Sequence, residues 1–342
     1  MKIDIIKEVS TIIPFKNTRF TSILIILFII ALIAPYVAPP FLTYILLTFF
    51  CYVPIVIGFN LLLGYTGLLS FGHGLFVAIG MYTSVYLMRN YGVTSIEIML
   101  ILAATLSALA GFGVGLLCIR YVRIFFAMLT LAFSMVFYSF LLKFYWLTGG
   151  DEGLGIYTRP ALLGMKFDTL YIMDFLTKVY YYYVLAIMVI LLIFMYRITT
   201  SHFGICLRAV KENPRKADES GLNVKKYRLY AFVISAIYTG IGGALLVQVT
   251  RHVVPAITYW TYSGEIVFMT LLGGFNYFTG PIIGAFVYIV LRDLIMSLTI
   301  YWRVILGVAL LLIVIFVPGG LMGGAKSLSK LIIKKRESYE FS

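Results

Sequence analysis

Residues 199–228 read TTSHFGICLRAVKENPRKADESGLNVKKYR, a polar island in a chain otherwise composed for lipid. Seven basic side chains (Arg208, Lys211, Arg215, Lys216, Lys225, Lys226 and Arg228) stand there against three acids, Glu212, Asp218 and Glu219. Local signals divide the island into two short helices. Ser201 is placed to cap the first, which runs to about Asn213 with Phe203, Leu207 and Val210 on one face and Arg208 and Lys211 on another. Asn213-Pro214 stops that helix and starts a second, with Asn as N-cap and Pro at the first helical position. Gly221 is placed to end the second helix in a left-handed residue. Lying at a membrane surface, such a pair makes a plug; a basic amphipathic pair resting on anionic lipid is the alternative. The interleaved acids suit specific pairing with a protein better than lipid alone.

Around the island, 62% of the 342 residues are hydrophobic and only 12% are charged. The mean hydropathy is +1.01. A soluble domain is about 45–50% apolar and about 25% charged, so no soluble core could hide this excess. The chain reads as an all-α polytopic membrane protein. A net charge of +13 invites a nucleic-acid reading. The basic residues, however, cluster in loops and tails beside apolar runs, as the positive-inside rule requires, and no nucleic-acid partner is expected. Cys51, Cys118 and Cys206 are scattered and read as small apolar fillers; His73, His202 and His252 lie far apart, so no metal site is expected. The first apolar run ends in Pro35, Pro39 and Pro40 with no small-residue cleavage site, and reads as a retained span.

A helix of about 20 apolar residues crosses a bilayer, because lipid forces the backbone to satisfy its own hydrogen bonds. The runs 20–38, 41–63, 68–88, 96–118, 123–142, 178–197, 229–250, 278–298 and 301–317 qualify, with 263–275 as a half-span. The count is about eight to ten, with the parity around 263–298 left open. Lys and Arg are concentrated in the segment 1–19, in the loop 199–228 and in the tail 326–342, with Arg120 and Arg123 in a short loop. These therefore face the cytoplasm, and the loop 143–177, carrying Asp151, Glu152, Asp168 and Asp174, faces outward as an ordered cap or docking surface. Charge inside the spans is scarce: Glu97 and the Arg292–Asp293 pair sit near predicted span ends. That scarcity argues against a proton pump or voltage sensor.

Two stretches do not read as ordinary lipid-facing helices: GYTGLLSFGHGLFVAIG (64–80) and GGFNYFTGPIIGA (273–285). Broken backbone at membrane depth is tolerated only where it is buried in protein or lines a cavity. The two stretches are read as discontinuous helices beside a translocation path, with Gly67, Ser70, Gly72, His73, Gly273, Gly274 and Asn276 as its candidate residues. Lying in the two halves of the chain, they are a pointer to an internal repeat. Gly111-x-x-x-Gly115 and Ala236-x-x-x-Gly240-x-x-x-Ala244 read instead as close helix packing, and Gly280-x-x-x-Gly284 fits that pattern as well.

Six collinear segments resemble the permeases of bacterial and archaeal ABC importers for branched-chain amino acids, of the LivM type. They are GYTGLLSFGHGLFVAIGMYTS (64–84), RIFFAMLTLAFS (123–134), TGGDEGLGI (148–156), the run 200–245 that holds the island, SGEIVFMTLLGGFNYFTGPIIGA (263–285) and GVALLLIVIFVPGGLMG (307–323). The resemblance implies a type II importer-like helical fold. It implies a second homologous permease, two cytoplasmic ATPase subunits that bind ATP and Mg, and an external substrate-binding protein. A loop with an EAA-like motif would insert into a cleft of the ATPase, a role carried over to Arg208, Glu212, Asn213, Ala217, Glu219 and Gly221; the chain reads Ala-Asp-Glu-Ser-Gly at 217–221 in place of a literal Glu-Ala-Ala. Thr148, Gly149, Gly150, Asp151 and Gly153 would dock or gate the binding protein. GGLMGGAKS (319–327) nearly matches a phosphate loop, but Ala325 breaks the spacing, so ATP is expected to act on a partner and this chain to be no enzyme.

The expected function is translocation of Leu, Ile or Val driven by ATP hydrolysis on partners. The same family importing urea, amides or other amino acids is one alternative, and a stand-alone secondary transporter or channel is another. An intramembrane enzyme would need a convergent polar set, for which Ser70 and His73 are the only hint.

Overall fold

The computed structural model describes residues 18–165, 167, 170–317 and 319–324. The segment 1–17, Asp168 and the basic tail from Lys326 lie outside the described residues. The fold is all-α. Its helices are α1 (Thr18–Val37), α2 (Pro40–Thr66), α3 (His73–Asn90), α4 (Ile96–Cys118), α5 (Ile124–Lys143), α6 (Tyr181–Thr200), α7 (His202–Glu212), α8 (Pro214–Glu219), α9 (Val224–Thr250), α10 (Trp260–Gly273), α11 (Gly280–Leu298) and α12 (Trp302–Phe316). A helical turn and a π-helical turn, Phe175–Tyr180, extend α6 backward, so that Ile172–Thr200 runs as one rod. Among the described residues, six rods are long and apolar enough to cross a membrane: α2, α4, α5, Ile172–Thr200, α9 and α11. The chain is a multi-pass membrane protein.

Two helices form the axis. In their most apolar windows, α2 is 89% buried within the chain and α9 is 78%, against 28% for α4 and 22% for α5. Glycines let α9 approach its neighbours: Gly240 abuts Ser107 and Ala103 of α4, Gly243 abuts Val77 of α3, and Ala236 sits against Gly111. Both small-residue motifs read as packing are therefore packing, with side chain replaced by backbone contact. Gly280 and Gly284 do the same against Gly274 and Gly273.

The expected span 68–88 begins later than its hydropathy implied. Helix α2 ends at Gly67, whose φ of +72° is left-handed. Residues 67–72 are not helical, and α3 starts at His73. Nothing in an apolar count reveals this, because the freed backbone is satisfied from far away: the Phe71 N–H donates to Thr130 Oγ1 on α5 at 3.2 Å. His73 bonds Ser235, near the middle of α9, at 2.7 Å. The start of α3 therefore lies at mid-depth.

The matching break is not the stretch 273–285. It is 251–259, which leads from the end of α9 into α10. Ser134, near the middle of α5, donates to the Thr258 carbonyl at 2.7 Å, so α10 also starts at mid-depth. The half-helices α3 and α10 meet there: the Gly74 N–H donates to Ser263 Oγ at 2.9 Å. The unit long helix, non-helical stretch, half-helix thus occurs as α2–α3 and again, oppositely directed, as α9–α10. This is the form of an inverted repeat. Residues 274–279 are a turn that joins α10 to α11. At 14 residues α10 spans about 21 Å, short of a full crossing, and completes one only with the stretch before it.

The described residues between α5 and α6 form a cap at the end of the bundle opposite the polar loop. Its strand β1 (Leu154–Gly155) pairs antiparallel with β2 (His252–Val253). Thr94 O accepts from the Ala161 N–H at 2.8 Å. Glu97, at the start of α4, accepts from the Leu163 N–H at 2.8 Å.

Candidate functional site

The polar loop folds as two short helices with a miniature core of its own. Val210, Ala217 and Val224 are buried together, flanked by Leu222 and Tyr227. Asn213 caps α8 by accepting from the Lys216 N–H at 3.0 Å. Gly221 adopts φ +87°, and the Leu222 N–H closes back on the Ala217 carbonyl at 3.0 Å. The capping role expected of Ser201 is corrected. Ser201 does stand at the N-cap of α7, but its hydroxyl donates backward to Ile198 O at 2.7 Å. It satisfies a terminal carbonyl of α6 in place of an α7 amide.

The loop has an outward face and an inward one. Glu212, Asn213, Glu219 and Gly221 are exposed, while Ala217 is buried. The Arg215–Glu219 ion pair at 3.3 Å is mostly solvated and contributes little. The inward face is held by two cations. The Arg208 guanidinium lies 4.9 Å from the centre of the Tyr65 ring. Lys211 Nζ donates to the Gly64 carbonyl at 2.8 Å and to Asn276 Oδ1 at 3.2 Å, and lies 5.2 Å from the centre of the Phe275 ring. Gly64 is among the last residues of α2, whose terminal carbonyls have no helical partner. Desolvation and the neighbouring Arg208 hold the Lys211 ammonium below its usual range, against an opposing effect of Glu212.

Gly67 lies under the same lysine: a Cβ there would stand 3.2 Å from Lys211 Cγ. One cation thus links α7, the end of α2 and the α10–α11 turn. Gly273, Gly274 and Gly280 pack against one another where that turn joins α10 and α11, and Gly320 rests on Gly274. Gly274 needs its φ of +103°, open only to glycine at low cost.

Ser70, Gly72 and His73 lie higher, enclosed in the chain's interior. His73 Nδ1 is 3.1 Å from Ser70 Oγ, and its ring is edge-on to Phe59 at 4.8 Å and to Phe76 at 5.7 Å. At the far end, Thr148 is buried and donates to Leu141 O at 2.5 Å. Gly149, Gly150 and Gly153 all have positive φ, and Gly153 abuts the Val253 carbonyl of β2. Asp151 is exposed. The candidate residues therefore form three groups along the bundle: the seat of the loop, the mid-depth junction and the cap.

A family model described as "Branched-chain amino acid transport system / permease component" matches residues 41–315. The chain belongs to this family. The high-affinity branched-chain amino acid transport system permease protein LivM of Escherichia coli K12 is 28% identical over 317 residues, covering 86% of this chain and 74% of that protein. The LivM of Salmonella typhimurium is 30% identical over 288 residues, covering 79% and 67%. A probable branched-chain amino acid transport permease protein LivH of Methanocaldococcus jannaschii is 23% identical over 284 residues, covering 75% and 84%. No solved structure matches the chain.

For a permease of this family, the sequence reading leaves one residue of the seat unassigned. Lys211 was counted among the basic residues but not as a site; its position one turn after Arg208 was the available signal. Among the described residues, no group of three or more His, Cys, Asp or Glu side chains could hold a metal ion.

Proposed function

We propose that the chain is the membrane-spanning permease subunit of an ATP-driven ABC importer that carries leucine, isoleucine and valine into the cell. The observation that carries this reading is the seat of Lys211, where a surface helix is tied at once to the end of α2 and to the α10–α11 turn. A partner that displaces α7 and α8 pulls on both connections. The names of the LivM relatives support the cargo.

In this reading the chain lies in the cell membrane with the loop 199–228 and both termini in the cytoplasm. ATP and Mg are bound and ATP is hydrolysed on two partner ATPase subunits, and this chain contributes no ATPase site. The exposed Glu212, Asn213, Glu219 and Gly221 contact the ATPase cleft, Ala217 holds the two helices together, and Arg208 anchors them. Gly67, Gly273, Gly274 and Asn276 transmit the motion to the path, and Ser70, Gly72 and His73 hold the junction of the half-helices that the motion tilts. A second homologous permease completes the path, and a substrate-binding protein docks at 148–153.

The test is reconstitution of the chain in vesicles with its ATPase, partner permease and binding protein. ATP-dependent leucine uptake is expected. Uptake driven by an ion gradient, in vesicles holding this chain alone, contradicts the reading and favours a secondary transporter.

A further inference from the structure

An arginine taken out of water needs an anion, because a buried charge without a partner leaves its desolvation cost uncompensated. Arg228, one turn into α9, is only 8% exposed. Its Nε is buried and has no hydrogen-bond partner among the described residues. None of the ion pairs among those residues includes it. The side chain lines a cavity of about 490 Å³ bounded by Ile119 and Arg120 after α4, by helix α8 and by the start of α9.

The rest of the lining suits an anion as well. Arg120, Arg215, Lys225 and Arg228 face the cavity with one acid, Asp218. Arg215 is engaged with Glu219. Arg120, Lys225 and Arg228 take part in no ion pair among the described residues, which leaves three cations to one carboxylate. The first turn of α9 adds donors of its own. Asn223 caps the Lys226 N–H at 3.1 Å, while the N–H groups of Val224 and Lys225, the first two residues of the helix, have no intrahelical acceptor. The 27-residue helix also presents the positive end of its dipole there.

We propose that the cavity binds the headgroup of an anionic membrane lipid, Arg228 pairing with its phosphate and Arg120 and Lys225 flanking it. The surroundings point to lipid. Leu116 and Leu117 before Arg120, and Ile124 and Phe125 after it, are exposed apolar residues of the weakly buried α4 and α5. The cavity thus stands at the polar end of a lipid-facing surface along which acyl chains can lie. The four exposed loop residues assigned to the ATPase cleft do not line it. A guanidinium matches a phosphate with paired hydrogen bonds, and basic pockets between membrane helices recognise anionic headgroups in this way. The bound lipid neutralises Arg228 and joins the α4–α5 loop to α8 and α9. The site requires a membrane and does not rest on the importer reading.

The experiment uses the purified full-length chain in a neutral detergent, titrated with dioctanoyl phosphatidylglycerol or dioctanoyl phosphatidylcholine, with bound lipid per chain read by native mass spectrometry. Wild type is compared with Arg228→Gln, with the double variant Arg120→Gln/Lys225→Gln and with Lys216→Gln/Lys226→Gln, which removes two exposed cations outside the cavity. Phosphatidylglycerol is expected to bind at least tenfold tighter than phosphatidylcholine. Each cavity variant should weaken it at least fivefold, and Lys216→Gln/Lys226→Gln less than twofold. The double variant changes only exposed residues and decides the question where Arg228→Gln does not fold. Equal binding of the two lipids overturns the site, and so does an equal loss in Lys216→Gln/Lys226→Gln, which means diffuse attraction. Displacement of the lipid by inorganic phosphate at equal concentration overturns the lipid assignment in favour of a free anion. Unchanged phosphatidylglycerol binding in the double variant, with loss of the ATPase subunits from the assembled complex, overturns it in favour of a protein contact.

Discussion

The Lys211 ammonium donates to the Gly64 carbonyl across 2.8 Å, joining residues 147 positions apart in the chain. The bond gives a terminal carbonyl of α2 a charged partner, and such bonds are stronger than neutral ones. The same ammonium reaches Asn276 in the α10–α11 turn. In the proposed function, a displacement of α7 is shared between these two transmembrane elements.

The two-helix form of the loop depends on a cap and a glycine. Asn213→Ala removes the acceptor for the Lys216 N–H and is expected to destabilise α8 by about 1 kcal/mol. Gly221→Ala forces a side chain into φ +87° at a cost of about 1–2 kcal/mol. Hydrogen exchange over 202–222 should rise in both variants and stay unchanged in α9. Unchanged protection in the loop would mean that packing on Val210 and Val224 alone sets the hairpin.

Mid-depth integrity depends on His73, whose two ring nitrogens serve Ser70 and Ser235. His73→Ala leaves both hydroxyls without this partner and a cavity among Phe59, Phe76 and Phe232. A loss of about 2–5 kcal/mol is expected, read as a lower thermal midpoint in detergent. Ser235→Ala removes one bond and should cost about 1–3 kcal/mol. A midpoint in His73→Ala equal to wild type would remove His73 from the architecture.

Helix α9 reaches its neighbours through backbone contact at Gly240, which abuts Ser107 and Ala103. Gly240→Leu should prevent assembly outright, since overpacking already costs about 1–3 kcal/mol where only a methylene is added. The check is the yield of monodisperse protein after membrane extraction. A normal yield would show that α4 can move away from α9 freely.

The parts of this fold that rest on local chemistry are legible in the sequence. Asn213-Pro214 and Gly221 place the two helices because capping is decided within a few residues. Close packing at Gly111-x-x-x-Gly115 and at Ala236-x-x-x-Gly240-x-x-x-Ala244 follows from small residues at helical spacing, although the partners they meet do not. The parts that rest on distant partners were not legible. The break at 67–72 is satisfied by Thr130 on another helix, and hydropathy averages across it. The second break was assigned to 273–285 because glycine is dense there, whereas the mid-depth break at 251–259 carries no glycine at all. Ser201 stood where a cap belongs, but a hydroxyl between two helices can serve either one. Lys211 draws its significance from Gly64 and Asn276, 147 and 65 positions away, which no local pattern contains.

The central claim is that the loop carries motion through Lys211 into the bundle. It is tested most directly by Lys211→Ala in the complete vesicle-reconstituted transporter, measuring ATP hydrolysis and leucine uptake in one sample. The prediction is uncoupling: hydrolysis by the partner continues, uptake per ATP falls at least tenfold, and Lys211→Arg recovers part of it. Uptake per ATP equal to wild type in Lys211→Ala would contradict the claim and leave the loop as a docking surface only.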